Sequence, residues 1–297
     1  MKVKSKHVRF QGLEVGVHSP DGAAPHVLFV HGGPGSHSAY FEAAIREFPA
    51  YHSGNIGWIT YDQRGCGRSD GGELSHAANI ADLRALCRHV TQDLGIRLGA
   101  ILGHSYGGWL AYDVISSDPS AAPRLILAGL GPDFREPRNR SLMMDLFALK
   151  LQQPEDYARL YPSIVKSDGE PWRLAKLVRE ALKSIDLRKQ FYWANANAMR
   201  WYEQTKSKIT VRESDPVYRT VRETLYADET RIDGPHVKKL GVPVLWINGL
   251  QDFLMSGLPT ASPNLTFNLF KGSGHYPQFE EPEKFVGSLL RFLEVKS

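Results

Sequence analysis

The stretch Leu98-Gly-Ala-Ile-Leu-Gly-His-Ser-Tyr-Gly-Gly-Trp-Leu-Ala-Tyr112 decides how the rest of the chain reads. It opens with Ala100-Ile101-Leu102, an apolar run of the kind that forms a buried strand. It closes with Trp109-Leu110-Ala111-Tyr112-Asp113-Val114-Ile115, which has helical spacing and stops ahead of Asp118-Pro119. Between them lies Gly103-His104-Ser105-Tyr106-Gly107, a G-x-S-x-G pentapeptide in a strand-turn-helix setting. Its glycines permit a turn tight enough to strain the serine backbone and present the hydroxyl above the sheet edge. The first N–H groups of the following helix point to the same spot, where negative charge on a carbonyl oxygen would be held. The turn is therefore read as a nucleophile elbow, with Ser105 as nucleophile and the Tyr106 N–H as an oxyanion donor.

A second match, Gly67-Arg68-Ser69-Asp70-Gly71, shows that the pentapeptide alone proves little. Ser69 follows polar, glycine-rich residues instead of an apolar strand, and Gly72 to Ser75 do not open a helix. It is read as a loop residue.

Working outward, His26-Val-Leu-Phe-Val30 is another apolar strand, and it runs into His31-Gly-Gly-Pro-Gly35. Such a loop lets backbone approach a ligand, so Gly33 is the second candidate oxyanion donor; a tight loop with no ligand role is the other reading. The alternation of residues 8–17 around Gly12 predicts an edge hairpin. Ile56 to Asp62 and Arg124 to Ala128 read as further strands, and residues 40–48 as a helix. Asn79 is the expected cap of a helix carrying Ile80, Leu83, Leu86, Val90 and Leu94. Strand and helix alternate, and the strands are continuously apolar, which is the pattern of a parallel sheet covered on both faces. From residue 132 to 235 the chain turns helix-forming, charged and aromatic, with helices expected over 142–152, 171–185 and 187–204. Strands resume at Val242 to Asn248 and Leu265 to Phe270, and a closing helix spans 282–295. Residues 1–131 and 236–297 thus form one core, interrupted by a helical cap at 132–235 that would sit over the carboxyl ends of the strands. Trp193 and Trp201, in an aromatic cluster of the cap, are candidates for an apolar substrate pocket or for cap core.

A serine needs a base, and the base needs an orienting acid. His275 lies in Lys271-Gly-Ser-Gly-His-Tyr-Pro277, directly after the last strand. Asp252 follows the strand before it and is preferred to Asp133, which follows the strand before the insertion. His31 and His104 adjoin motif glycines and are read as shaping their loops. The order Ser105, Asp252, His275 is that of the α/β-hydrolase fold.

With these residues in place, the sequence resembles the proline iminopeptidase family of serine aminopeptidases. The resemblance rests on His31-Gly-Gly-Pro-Gly35, Tyr61-Asp-Gln-Arg-Gly-Cys-Gly-Arg-Ser69 and Gly103-His-Ser-Tyr-Gly-Gly108, with a helical cap before Asp252 and His275. It implies a mostly parallel twisted sheet with helices on both faces. It further implies release of an N-terminal residue, often proline, from short peptides with no metal or organic cofactor. Family members hold the substrate amine with cap glutamates and, in some, one beside the catalytic aspartate. Here Phe253 follows Asp252, and Glu203 is the candidate cap anchor, with a solvated helix charge as its other reading. A carboxylesterase or lactonase using the same three residues is the alternative. A cofactor-free lyase or oxygenase, or a non-catalytic binding module, is a further one.

At 297 residues and a formal net charge of +4, the chain has the length for a large core. It carries no basic cluster dense enough to suggest a nucleic-acid partner. Met1 to His7 lacks the apolar run of a secretory signal, and no stretch reaches membrane-spanning length. The only cysteines, Cys66 and Cys87, have no metal-ligand spacing. A cytoplasmic protein that needs no metal and takes a small molecule or short peptide is expected.

Overall fold

The computed structural model describes residues 4–19, 25–52, 56–131, 135–166, 171–184, 186–211, 213–226, 236–255 and 257–294. Asp133 lies outside them, as do the side chains at 135–139, 171–173, 175, 176 and 226.

Five strands are buried along their whole length: β3 (His26–Val30), β4 (Gly57–Tyr61), β5 (Leu98–His104), β6 (Leu125–Ala128) and β7 (Val244–Gly249). Their continuous apolar runs follow from having helices on both faces, which leaves no solvent side on which polar residues could alternate. They pair parallel, and β8 (Leu265–Phe270) joins them parallel to β7. On the other side, β1 (Lys4–Phe10) and β2 (Leu13–Ser19) form the expected hairpin and attach antiparallel to β4. Its turn puts Gln11 and Gly12 at φ +49° and +82°, the double positive φ of a two-residue hairpin loop. The sheet order is β1-β2-β4-β3-β5-β6-β7-β8.

One face is covered by α2 (His76–Arg88) and α3 (Tyr106–Ser117) through Leu83, Leu86, Leu110 and Val114. The other is covered by α1 (Ala39–Glu47), the short α10 (Pro277–Glu280) and α11 (Pro282–Phe292), with Phe41, Ile45, Phe285 and Leu289 fully buried. Each such phenylalanine contributes about 2–3 kcal/mol of burial. Between β6 and β7 the chain inserts α4 (Arg135–Gln152), α5 (Pro154–Lys166), α6 (Pro171–Ala181), α7 (Asp186–Gln190), α8 (Ala196–Lys208) and α9 (Asp215–Tyr226).

Several helix boundaries differ from expectation: α4 begins at Arg135 instead of 142, α6 ends at Ala181 instead of 185 and α11 at Phe292 instead of 295. Two further differences bear on the site. The cap of α2 is Ser75, whose hydroxyl accepts the Ala78 N–H at 3.0 Å, while Asn79 is buried and donates to the Tyr106 hydroxyl. The helix expected over 187–204 is broken at 191–195. There Asn195 caps α8 by accepting from Asn197 and Ala198, and buried Glu280 accepts the Ala194 and Asn195 N–H groups. A carboxylate at a helix start satisfies donors that a continuous helix would have used internally.

Candidate active site

The order in which successive strands are added reverses at β3, which has β4 on one side and β5 on the other. The carboxyl ends of β3 and β5 therefore open a crevice, where open α/β sheets bind ligands. Ser105 stands at the end of β5 with φ +52° and ψ −122°, a conformation that costs a non-glycine residue on the order of 1–3 kcal/mol. Its N–H is tied to the Ala128 carbonyl at 2.9 Å and its carbonyl to Gly108 N–H at 2.8 Å. Crowding explains the flanking glycines. A Cβ on Gly107 would lie 2.1 Å from the Val30 carbonyl oxygen, and one on Gly103 would lie 2.3 Å from that of Gly107. Helix α3 starts at Tyr106, so the Tyr106 N–H is among the donors the helix cannot use itself. The Tyr106 hydroxyl, held by His76 and Asn79, anchors that first turn.

The loop after β3 packs directly on the serine: a Cβ on Gly32 would come within 3.1 Å of Ser105 Cβ. Next to it Gly33 adopts φ +121°. Two neighbours hold this loop. His31 Nε2 accepts the Gln63 N–H at 3.0 Å, and the Gln63 side-chain amide donates to the His31 carbonyl at 2.8 Å. Burial pushes the His31 imidazole down to about 4, so it is neutral and able to accept. Asp62 accepts from Ser38 N–H, the Ser38 hydroxyl, Arg68 N–H and Arg68 Nε. Burial opposes its charge, but the Arg68 guanidinium wins and holds the carboxyl at about 2. The Asp62-Gln63-Arg64-Gly65 segment thus acts as scaffolding for the glycine loop.

His275 and Asp252 meet at 2.9 Å, Nδ1 to Oδ2, and both are buried. Asp252 Oδ1 accepts the Leu254 N–H at 2.9 Å, which fixes the carboxylate. The His275 backbone is held from two sides. Its N–H donates to the Tyr192 carbonyl in the 191–195 turn at 2.7 Å, and its own carbonyl accepts from His104 Nε2 at 2.8 Å. Burial pushes His104 down to about 3, so this contact comes from a neutral ring. Gly274 is required here, since a Cβ would lie 2.4 Å from the Tyr192 carbonyl oxygen.

Ser105, Gly33, Tyr106 and His275 line one cavity of about 410 Å³, with Asp252 behind His275. Three other expected residues lie elsewhere. Trp193 stacks on Tyr276 at 4.4 Å; Trp201 donates from Nε1 to Glu47 and packs on Phe279; Glu203 is half-buried on α8. The tryptophans fill the seam between α8 and the core. In their stead the segment inserted between β6 and β7 presents Tyr192, Tyr202, Glu213 and Tyr218 to the cavity, with Arg179, Arg188 and Arg222. Tyr192 and Tyr202 belong to the aromatic cluster visible in the sequence. Glu213 carried no pattern to single it out.

Among the described residues no group of three or more His, Cys, Asp and Glu side chains is placed to hold a metal ion, and no helix is long and apolar enough to cross a membrane.

The model of the alpha/beta hydrolase family matches residues 27–288. A proline iminopeptidase of Lactobacillus delbrueckii subsp. bulgaricus is 29% identical over 294 residues, covering 90% of this chain and 89% of its own. A proline iminopeptidase-related protein from Thermus thermophilus superposes with a TM-score of 0.70 at 18% identity, over 99% of this chain and 98% of that one. A 2-hydroxy-6-oxo-6-phenylhexa-2,4-dienoate hydrolase from Rhodococcus sp. strain RHA1 superposes with a TM-score of 0.64 at 19% identity, over 99% of this chain and 100% of that one.

Proposed function

This chain belongs to the alpha/beta hydrolase family, and from that premise we propose that it is a proline iminopeptidase-like aminopeptidase working through an acyl-enzyme on Ser105. His275 takes the hydroxyl proton as Ser105 Oγ bonds to the carbonyl carbon, and the carbonyl π pair moves onto oxygen. The N–H groups of Gly33 and Tyr106 hold that oxyanion, and Asp252 stabilises the imidazolium. The oxyanion then collapses, the C–N bond breaks, and the leaving nitrogen takes the proton back from His275. Water, deprotonated by the same imidazole, attacks the acyl ester; the released acid leaves and Ser105 regains its proton.

The observation that carries the aminopeptidase reading is the carboxylate of Glu213 on the wall of the cavity that Ser105 and His275 share. A substrate ammonium would find there a negative charge, which an ester substrate does not need. Lys206 Nζ lies 3.4 Å from that carboxylate in a half-exposed pair, an interaction worth about 0–1 kcal/mol that a substrate can displace. Similarity to the Lactobacillus enzyme over nine-tenths of the chain supports the same reading.

Rates on proline anilide, N-acetylproline anilide and a short-chain aryl ester test it. Blocking the amine is expected to slow anilide cleavage about 10- to 100-fold, the loss typical of a charge-assisted contact left unmade. Glu213→Gln should raise KM for the free amine and spare the ester. Equal cleavage of blocked and free anilides would overturn the aminopeptidase assignment and leave an esterase or lactonase.

A further inference from the structure

The cavity has a second charged corner that acyl transfer leaves unused. Asp145 on α4, 1% exposed, is gripped by two guanidiniums. Arg179 of α6 donates to it at 2.8 and 3.0 Å, and Arg188 of α7 lies 2.6 Å away. Arg188 also donates to the Ser141 hydroxyl at 2.8 Å and rests over the Tyr192 ring at 5.1 Å. Ser141, Arg179 and Arg188 all line the cavity. Among the described residues, one carboxylate thus faces two cations, and one positive charge is left over. Arg188 is only 9% exposed, so water screens that surplus weakly.

Its position relates it to the chemistry. The Tyr192 ring that carries Arg188 lies 5.4 Å from the His275 imidazole, centroid to centroid. His275 is the group that hands a proton to the leaving nitrogen, so the leaving part of a substrate departs on this side. Glu213 marks another part of the wall: it faces Tyr40, whose phenol its charge helps to push upward, after burial. The cavity is therefore bipolar, with a carboxylate for an incoming ammonium and a guanidinium corner one aromatic ring from the base.

We propose that the Arg188 corner binds a carboxylate on the leaving part of the substrate. In a peptide this is the terminal carboxylate, so the preferred substrates are free peptides of about two or three residues, at roughly 3.5 Å of reach per residue. The proposal rests on the acyl-enzyme reading above, and the experiment separates the two.

Two substrate pairs are compared on the intact protein: Pro-Ala with Pro-Ala-amide, and 4-acetoxybenzoate with 4-acetoxybenzamide. Each pair differs by one negative charge on the leaving part. The charged member is expected to have a kcat/KM about 10- to 100-fold higher. Arg188→Met should bring both ratios near one. Asp145 keeps Arg179 in that variant, so no buried carboxylate is stranded. Because a ratio is read within one preparation, a general loss of folded enzyme cannot mimic the result. A preference in the ester pair with both peptides untouched would support the corner and sink the aminopeptidase assignment. Ratios within twofold in the unsubstituted protein, or a preference that survives Arg188→Met, would overturn the proposal.

Discussion

Ser69 and Ser105 occupy the same place in the same five-residue pattern and are both half-buried, yet their hydroxyls are put to different uses. The Ser69 hydroxyl donates to the Asp62 carbonyl and accepts the Glu14 N–H, so it is spent on stitching the hairpin to its neighbouring loop. Ser105 sits at positive φ, heads a helix of 12 residues and faces the cavity. The glycines differ too. A Cβ on Gly71 meets nothing within 4 Å, whereas one on Gly107 runs into the Val30 carbonyl. The pattern acquires meaning only where a buried strand forces the chain to turn against its neighbour's backbone.

The sharpest way to break this comparison is to exchange alanine for each serine. Ser105→Ala is expected to lower kcat by at least ~10⁴-fold and abolish labelling by a fluorophosphonate. Ser69→Ala should label fully while losing about 1 kcal/mol of stability, read from the denaturant midpoint. Labelling lost in the second variant and kept in the first would reverse the assignment. Asp252→Asn follows, with an expected drop of about 10⁴-fold in kcat at neutral pH, because the imidazole loses the partner that fixes its tautomer.

Stability separates the glycines. Gly107→Ala should cost at least about 3 kcal/mol, since the added methyl meets backbone that cannot move aside. Gly71→Ala should change the unfolding midpoint by no more than ~0.5 kcal/mol. A tolerant Gly107 would mean that the elbow is less crowded than its geometry requires.

The two regions also titrate in different windows. His104, beside the elbow, is held at about 3, below its unfolded value of 6.5. The unfolded chain therefore takes up the proton first, and stability falls as pH drops from 6.5 toward 3. Asp62, under the Ser69 loop, is held at about 2, below its unfolded value of 3.8. Its contribution, about 2 kcal/mol, is complete above pH 4 and is lost as pH falls from 4 through 2. Thermal melts across this range should show His104→Asn reducing the slope of the upper window, which it shares with His31, and Asp62→Asn that of the lower. Identical profiles for the two variants would erase the distinction.

The sheet and the elbow were legible because burial on both faces writes itself as uninterrupted apolar runs, such as Ala100 to Leu102 and Val244 to Ile247. The meeting of His275 and Asp252 was expected because both follow successive strands and ligands gather at strand ends, whereas the order of the strands across the sheet was not written in the sequence. The inserted helices were less readable. Trp193 and Trp201 stand in the same aromatic run as Tyr192 and Tyr202, and only packing decides which rings turn into the seam and which into the cavity. Nor does helical spacing reveal that Glu280, nearly ninety positions on, interrupts the helix expected over 187–204. Glu213 and Arg188 look like ordinary surface charges until the fold shows which cavity they share.

The peptide bond linking Tyr192 to Trp193 has a further consequence, because its oxygen holds the amide of the proposed base. Lifting this turn to admit a bulkier guest would tug on the backbone that carries the imidazole. Molecular size and reactivity would then be measured by one gauge, since an oversized ligand that lifted the turn would shift the imidazole proposed to accept the proton.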